Sequence, residues 1–209
     1  MDFCIPVTLS KIIGSISYFL EPIVLTNMLL YVGYTKDYII YEYGVINAYS
    51  LSLLLMPQFF TQNISTSLIP ELSKYYKVKD YKMCTKRIKQ IVLLSLAIGL
   101  TSTIIITIFP SFFLNLLFKT NEGIDYIRLL SPFTLLFYIE YPLIDSLQAL
   151  GKSKRCFNIT IKTSIIRLLS IVISSLFKLG MYSLVISIII NLITSTYFYY
   201  REINKTLHI

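Results

Sequence analysis

The sequence predicts an all-α membrane protein, a bundle of six transmembrane helices. Three observations carry that prediction. The chain of 209 residues is 55% hydrophobic and only 14% charged, against about 25% charged in a soluble domain. Its mean hydropathy is +0.68, too apolar to leave a polar surface around a soluble core. Six apolar stretches each reach the roughly 20 residues that a helix needs to cross a 30 Å hydrocarbon core.

In chain order the spans are A, 6–32; B, 43–70; C, 90–118; D, 125–149; E, 156–177; and F, 181–200. Each exceeds the strand length of a membrane barrel, and no ten-residue alternating pattern appears, so helices are predicted over a β-barrel. Span A is too long for a secretory h-region and contains Glu21-Pro22, which reads as a retained span. Residues 1–209 are expected to form a single six-helix unit.

The stretch "TSLIPELSKYYKVKD", residues 66–80, marks where span B ends in a basic loop. Lys74, Lys77, Lys79, Lys82, Lys86, Arg87 and Lys89 lie between B and C, and Lys152, Lys154 and Arg155 between D and E. Lys11, Arg201 and Lys205 bring that side to thirteen cations, against Lys36, Lys119 and Lys178 on the other side. Because loops rich in Lys and Arg stay in the cytoplasm, both termini and the 73–89 and 151–155 loops are expected there. The +8 net charge then reports topology and contact with anionic headgroups, and nucleic acid is not an expected partner.

Catalytic chemistry finds no support. Cys4, Cys84 and Cys156 sit near the predicted cytoplasmic ends and are expected to be reduced. The one histidine, His208, is near the end of the chain. No metal-ligand spacing, nucleophile–base pair or phosphate-binding glycine loop is present, so neither an enzyme nor a metal cofactor is expected.

Polarity inside the spans is the functional signal, because ionisable groups in a membrane face protein or water. Glu21, Arg128, Glu140, Asp145, Lys162 and Arg167 qualify. Arg128 lies near the outer end of D and is expected to snorkel. Glu21 sits about 22 Å along A, and Pro22 frees a carbonyl beside it. That suits either a proton or cation site, with H+ or Na+ as the coupling ion, or a packing contact. In B, Gln58, Gln62 and Thr66 form one polar row and Asn63 and Ser67 a second, reading either as helix–helix glue or as a vestibule wall. If D and E form an antiparallel hairpin, residues whose numbers share a constant sum lie at equal depth. Glu140 then meets Arg167, and Asp145 meets Lys162. Lys162, nearer the cytoplasmic mouth, either touches an anionic headgroup or snorkels.

The runs "PVTLSKIIGSISYFLEPI", "YGVINAYSLSLLLMPQFFTQNISTSLIPELSKYY" and "YPLIDSLQALGKSKRCFNITIKTSIIRLLSIVISSLFKLGMYSL" resemble the second half of stage V sporulation protein B-like proteins. These belong to the superfamily of multidrug, oligosaccharidyl-lipid and polysaccharide exporters. The resemblance implies one lobe of a two-lobe MATE-like flippase that moves a lipid-linked oligosaccharide or similar amphiphile by alternating access. The alternatives are a cation-coupled small-molecule exporter and a truncated, non-transporting membrane-interaction subunit. It also implies a plasma-membrane location and a second lobe, from a separate chain or from a homodimer, since rocking needs two halves.

Overall fold

The structure, a computed structural model, describes residues 4–207, leaving aside the side chains of residues 4–6 and 68. Cys4's thiol and His208 therefore lie outside the described residues. The order is α1 (Cys4–Val32), α2 (Lys36–Gly44), a π-helical turn (Val45–Leu51), α3 (Ser52–Leu55), α4 (Gln58–Lys77), α5 (Tyr81–Ile108), α6 (Pro110–Phe118), α7 (Ile124–Ala149), α8 (Ser153–Leu176) and α9 (Tyr182–Leu207).

Five stretches are long and apolar enough to cross a membrane: 7–32, 81–108, 124–149, 153–176 and 182–207. The pair Lys36–Leu55 and Gln58–Lys77, bent by 50°, supplies a sixth when taken as one span. Span B is thus not one straight helix. Its break falls at Pro57, whose ring nitrogen cannot bond back to the Leu53 carbonyl. Span C is also divided, with Phe109 leaving helical geometry and Pro110 opening α6.

The basic 73–89 segment is not a loop but two helix ends joined at residues 78–80. Asp80 caps α5 by accepting from the Met83 amide at 3.0 Å. Lys74 and Lys77 occupy the last turn of α4, where cations complement the helix dipole. Between α7 and α8, Gly151 adopts φ +72°, and the Lys152 amide reaches back to the Leu147 carbonyl at 3.1 Å. That closure is available without strain to glycine.

Two apolar layers form the core. One contains Leu29, Ile39, Leu114, Ile127 and Leu184. The other contains Leu72, Cys84, Leu147, Cys156 and Ile203, and so gathers the α4–α5 turn, the α7–α8 turn and the end of α9 at one end of the bundle. The cation-rich segments consequently share that basic end, and the turns bearing Lys36, Lys119 and Lys178 share the other. Outward positions such as Phe19, Phe59, Leu93 and Phe177 are exposed apolar side chains, which suits a lipid-facing surface.

Helix neighbours decide which charges can meet. α1 lies along α8; α9 packs against both α7 and α8; α7 also packs against α4 and α5. α7 and α8 touch only over a short stretch, because α9 is wedged between them. The α5–α7 seam depends on small residues: Ser95, Gly99 and Thr103 recur every four positions on α5's buried face. A Cβ on Gly99 would stand 2.5 Å from a ring carbon of Tyr138, so only a glycine admits that ring.

Candidate functional site

Between the two apolar layers lies a polar cavity of about 440 Å³. α1 contributes Gly14, Ser17 and Tyr18; α8 contributes Thr160, Thr163, Ser164 and Arg167. Glu140 and Tyr141 of α7 and Asn191 and Tyr199 of α9 complete the polar lining, with Gln58 at the start of α4. A neighbouring cavity of about 300 Å³ shares Tyr18, Leu55, Phe137 and Arg167 as its partition and adds Glu21, Tyr43 and Asn47.

Arg167 is the centre of this arrangement. It is 7% exposed and Glu21 is 2% exposed, and the two form an ion pair. Tyr18 places its ring 4.5 Å from the guanidinium carbon, within cation–π range. Pro22 leaves the Tyr18 carbonyl without its helical donor, so the same turn of α1 is locally more polar. Arg167 Nε is buried without a hydrogen-bond partner, leaving one donor uncommitted. Glu140 stands beside Ser195, within reach of Arg167's field. The Thr160 and Tyr199 hydroxyls lie 3.1 Å apart on the cavity wall.

The hairpin pairing expected from the sequence is therefore corrected. Arg167 pairs with Glu21, and no Glu140–Arg167 ion pair occurs among the described residues. Asp145 does not meet Lys162: it accepts a hydrogen bond from Ser65 of α4 at 2.7 Å and feels Lys11 of α1. Lys162 is exposed and does not line the cavity. The physical cause is the wedge of α9, which denies α7 and α8 the continuous contact that constant-sum registration assumes. Five residues also separate Lys162 from Arg167, about 140° of helix, so once Arg167 faces inward Lys162 faces out.

The polar rows of α4 divide as well. Gln58 lines the cavity and donates to the Phe137 carbonyl at 3.3 Å. Gln62, Asn63, Thr66 and Ser67 are exposed on the outer face instead. Asn63 returns its amide to the Phe59 carbonyl at 2.8 Å, and Thr66 bonds to Gln62 and Asn63 carbonyls. The α4 side chains that face the bundle are Thr61 and Ser65, which the sequence reading did not single out. Arg128 is exposed on α7 and lines a separate cavity at the less basic end.

The contact that sequence reasoning missed has a simple register. First and fifth spans run in the same direction, so facing residues share a constant difference in number. One offset relates Gly14 to Thr160, Ser17 to Thr163, Tyr18 to Ser164 and Glu21 to Arg167, and all but Glu21 of these line the larger cavity. Cys84 and Cys156 are buried free thiols.

A multi-pass helical membrane protein with a polar cavity held between apolar layers is the class that this fold and site define. The MatE family profile matches residues 16–173, and the chain belongs to the MatE family. It is 27% identical over its whole length to stage V sporulation protein B of Bacillus subtilis (strain 168), covering 40% of that protein. It is 25% identical to sporulation protein YkvU of the same organism, over 98% of this chain and 46% of the relative. It is 29% identical to capsular polysaccharide biosynthesis protein CapF of Staphylococcus aureus, over 94% of this chain and 48% of that protein. The chain thus spans less than half the length of the curated relatives it matches. No solved structure matches significantly.

Proposed function

We propose that the chain is one lobe of a flippase-like membrane transporter that moves a lipid-linked oligosaccharide or a similar amphiphile by alternating access. The observation that carries this reading is the buried Arg167, which lines a hydroxyl- and amide-walled cavity between apolar layers with an uncommitted Nε–H. A charge kept at such depth is costly and needs a reason beyond packing. Hydroxyls of Ser17, Thr160, Thr163 and Ser164 suit the polar portion of an amphiphile, while exposed apolar flanks keep its tail in lipid. Membership of the MatE family and likeness to a protein of capsular polysaccharide biosynthesis support the same class.

Alternating access requires an opposing wall. A second lobe, from another chain or a second copy, would stand against the exposed faces of α1 and α4. Gln62 and Asn63 on that outer face then meet a partner or water rather than lipid. The protein would lie in the plasma membrane with its basic end cytoplasmic. Glu21 serves as a proton or Na+ site only when Arg167 leaves it, since the guanidinium now fills the position a coupling ion would take. Glu140 is the neighbouring carboxylate able to receive that guanidinium.

Membrane vesicles from cells expressing the chain, which retain any partner lobe, test this reading. A fluorescent lipid-linked oligosaccharide should become accessible to an impermeant quencher, and Arg167→Ala should reduce the rate at least about tenfold, as loss of a buried charged contact would. Equal rates with and without the chain, or an indifferent Arg167→Ala, contradict it.

A further inference from the structure

At the end of the bundle opposite the cation-rich turns, the start of α7, α2 and the start of α9 enclose a cavity of about 630 Å³. Its walls include the rings of Tyr38, Tyr41, Tyr126 and Tyr182, and its charges are Glu42, Glu122, Asp125 and Arg128. That volume lies within the range of small-ligand sites. The cavity shares no residue with the polar cavity around Arg167.

The valences left open at this cup define what it can take. Tyr126 donates its hydroxyl to Glu42 at 2.6 Å, and Tyr41 and Glu122 face each other across the cup, close enough to interact electrostatically. The Tyr126 phenol is thereby committed, and the cup presents tyrosine ring faces and carboxylate oxygens as acceptors. Asp125 and Arg128 lie three apart on the first turns of α7, yet none of the cup's charges forms an ion pair among the described residues. A cavity that keeps both signs apart offers acceptors and π-faces for an ammonium at one side and a guanidinium for an anion at the other.

We propose that this cup binds the zwitterionic headgroup of a phosphatidylethanolamine-type lipid. Glu122 and Asp125 accept from the primary ammonium and Arg128 takes the phosphate. The lipid source follows from the surroundings: Leu129, next to Arg128, and Ile40, next to Tyr41, are 42% and 59% exposed. Apolar chains therefore have a surface to follow out of the cup. Tyrosines clustered at a bundle end also suit the depth of lipid headgroups. A primary ammonium has three N–H donors for the carboxylates and a quaternary one has none, so ethanolamine is favoured over choline.

Native mass spectrometry of the full chain in detergent tests the assignment, with phosphatidylethanolamine, phosphatidylcholine and phosphatidylglycerol titrated separately. The wild type should retain phosphatidylethanolamine roughly fivefold more tightly than phosphatidylglycerol, the scale of a few exposed charge pairs. The Glu122→Gln/Asp125→Asn double variant should lose that preference, and Arg128→Gln should weaken retention of both lipids. Glu122, Asp125 and Arg128 are exposed, and an unchanged melting temperature would establish that the variants fold. Should the double variant fail to fold, the Arg128→Gln outcome still decides. Absence of selectivity in the wild type, or selectivity that survives the double variant, overturns the proposal. Displacement of the lipid by soluble O-phosphoethanolamine at equal concentration overturns the lipid assignment.

Discussion

Glu21 and Arg167 stand at matching depth on parallel helices α1 and α8 and neutralise each other inside the bundle. Arg167 lies 14 residues in from the start of α8 and Glu21 lies 17 in from the start of α1, about 21 and 26 Å along by helical rise. Each is sealed from lipid by the packing of its neighbours, and the Tyr18 ring covers the guanidinium.

This pairing predicts an asymmetric mutational response. Glu21→Gln leaves Arg167 buried without its counter-charge and should cost about 3–5 kcal/mol, whereas Glu21→Arg combined with Arg167→Glu should recover part of that loss. Thermal unfolding in detergent reads both. A double variant no more stable than either single one would refute the pair.

Lys162 is expected to be dispensable for stability. It is exposed and separate from the cavity, so Lys162→Gln should change stability by no more than about 0.5 kcal/mol. A loss comparable to that of Glu21→Gln would return Lys162 to the buried network.

Gly99 should tolerate nothing larger. Gly99→Ala drives a methyl to 2.5 Å from the Tyr138 ring, and Tyr138 is held by its hydroxyl bond to the Leu54 carbonyl at 2.6 Å. Destabilisation of about 1–3 kcal/mol follows from overpacking. Partial recovery in Gly99→Ala/Tyr138→Leu, measured by the same melts, would identify the ring as the obstacle.

Much of the fold was legible in hydropathy alone. Spans D and E agree with α7 and α8 to within three residues at both ends, and F agrees with α9 at its start, because a lipid-embedded helix must be apolar for about 20 residues. The end of F, seven residues short of Leu207, and the start of C, nine residues after Tyr81, were less legible. The stretch 81–89 reads as a loop by charge, yet lysine and arginine are good helix formers and Asp80 supplies a cap, so α5 begins well before the apolar run. Span B was expected as one continuous helix; the 50° bend at Pro57 was not predicted, because the direction taken after a proline is set by what the two halves pack against.

The site was half legible. Glu21, Glu140, Arg167 and Gln58 do border the central cavities, since polarity inside an apolar span needs a protein environment. Their pairing was not legible from hairpin logic, which takes neighbours in sequence to be neighbours in space. The insertion of α9 between α7 and α8 breaks that premise, and the parallel register of α1 with α8 replaces it.

Topology makes a further prediction. In a background lacking Cys4, Cys84 and Cys156, a cysteine at Glu122 should react with an impermeant reagent applied to intact cells, and one at Lys79 should not. The reverse pattern would invert the bundle in the membrane.

The central claim, that the cavity lined by α1 and α8 is a wall of the substrate path, is tested most directly by photo-crosslinking. A polyprenyl-diphosphate oligosaccharide analogue carrying a diazirine on its saccharide would be used in membranes containing the chain with single cysteines at Ser164 or Ile165, the adduct being mapped by protection of the thiol and by mass. Ser164 lines the cavity, whereas Ile165, about 100° further around α8, is 53% exposed and does not line it. The account predicts an adduct at Ser164, competed by unlabelled lipid-linked oligosaccharide, and little at Ile165. Equal labelling at both positions, or labelling at Ile165 alone, would contradict it.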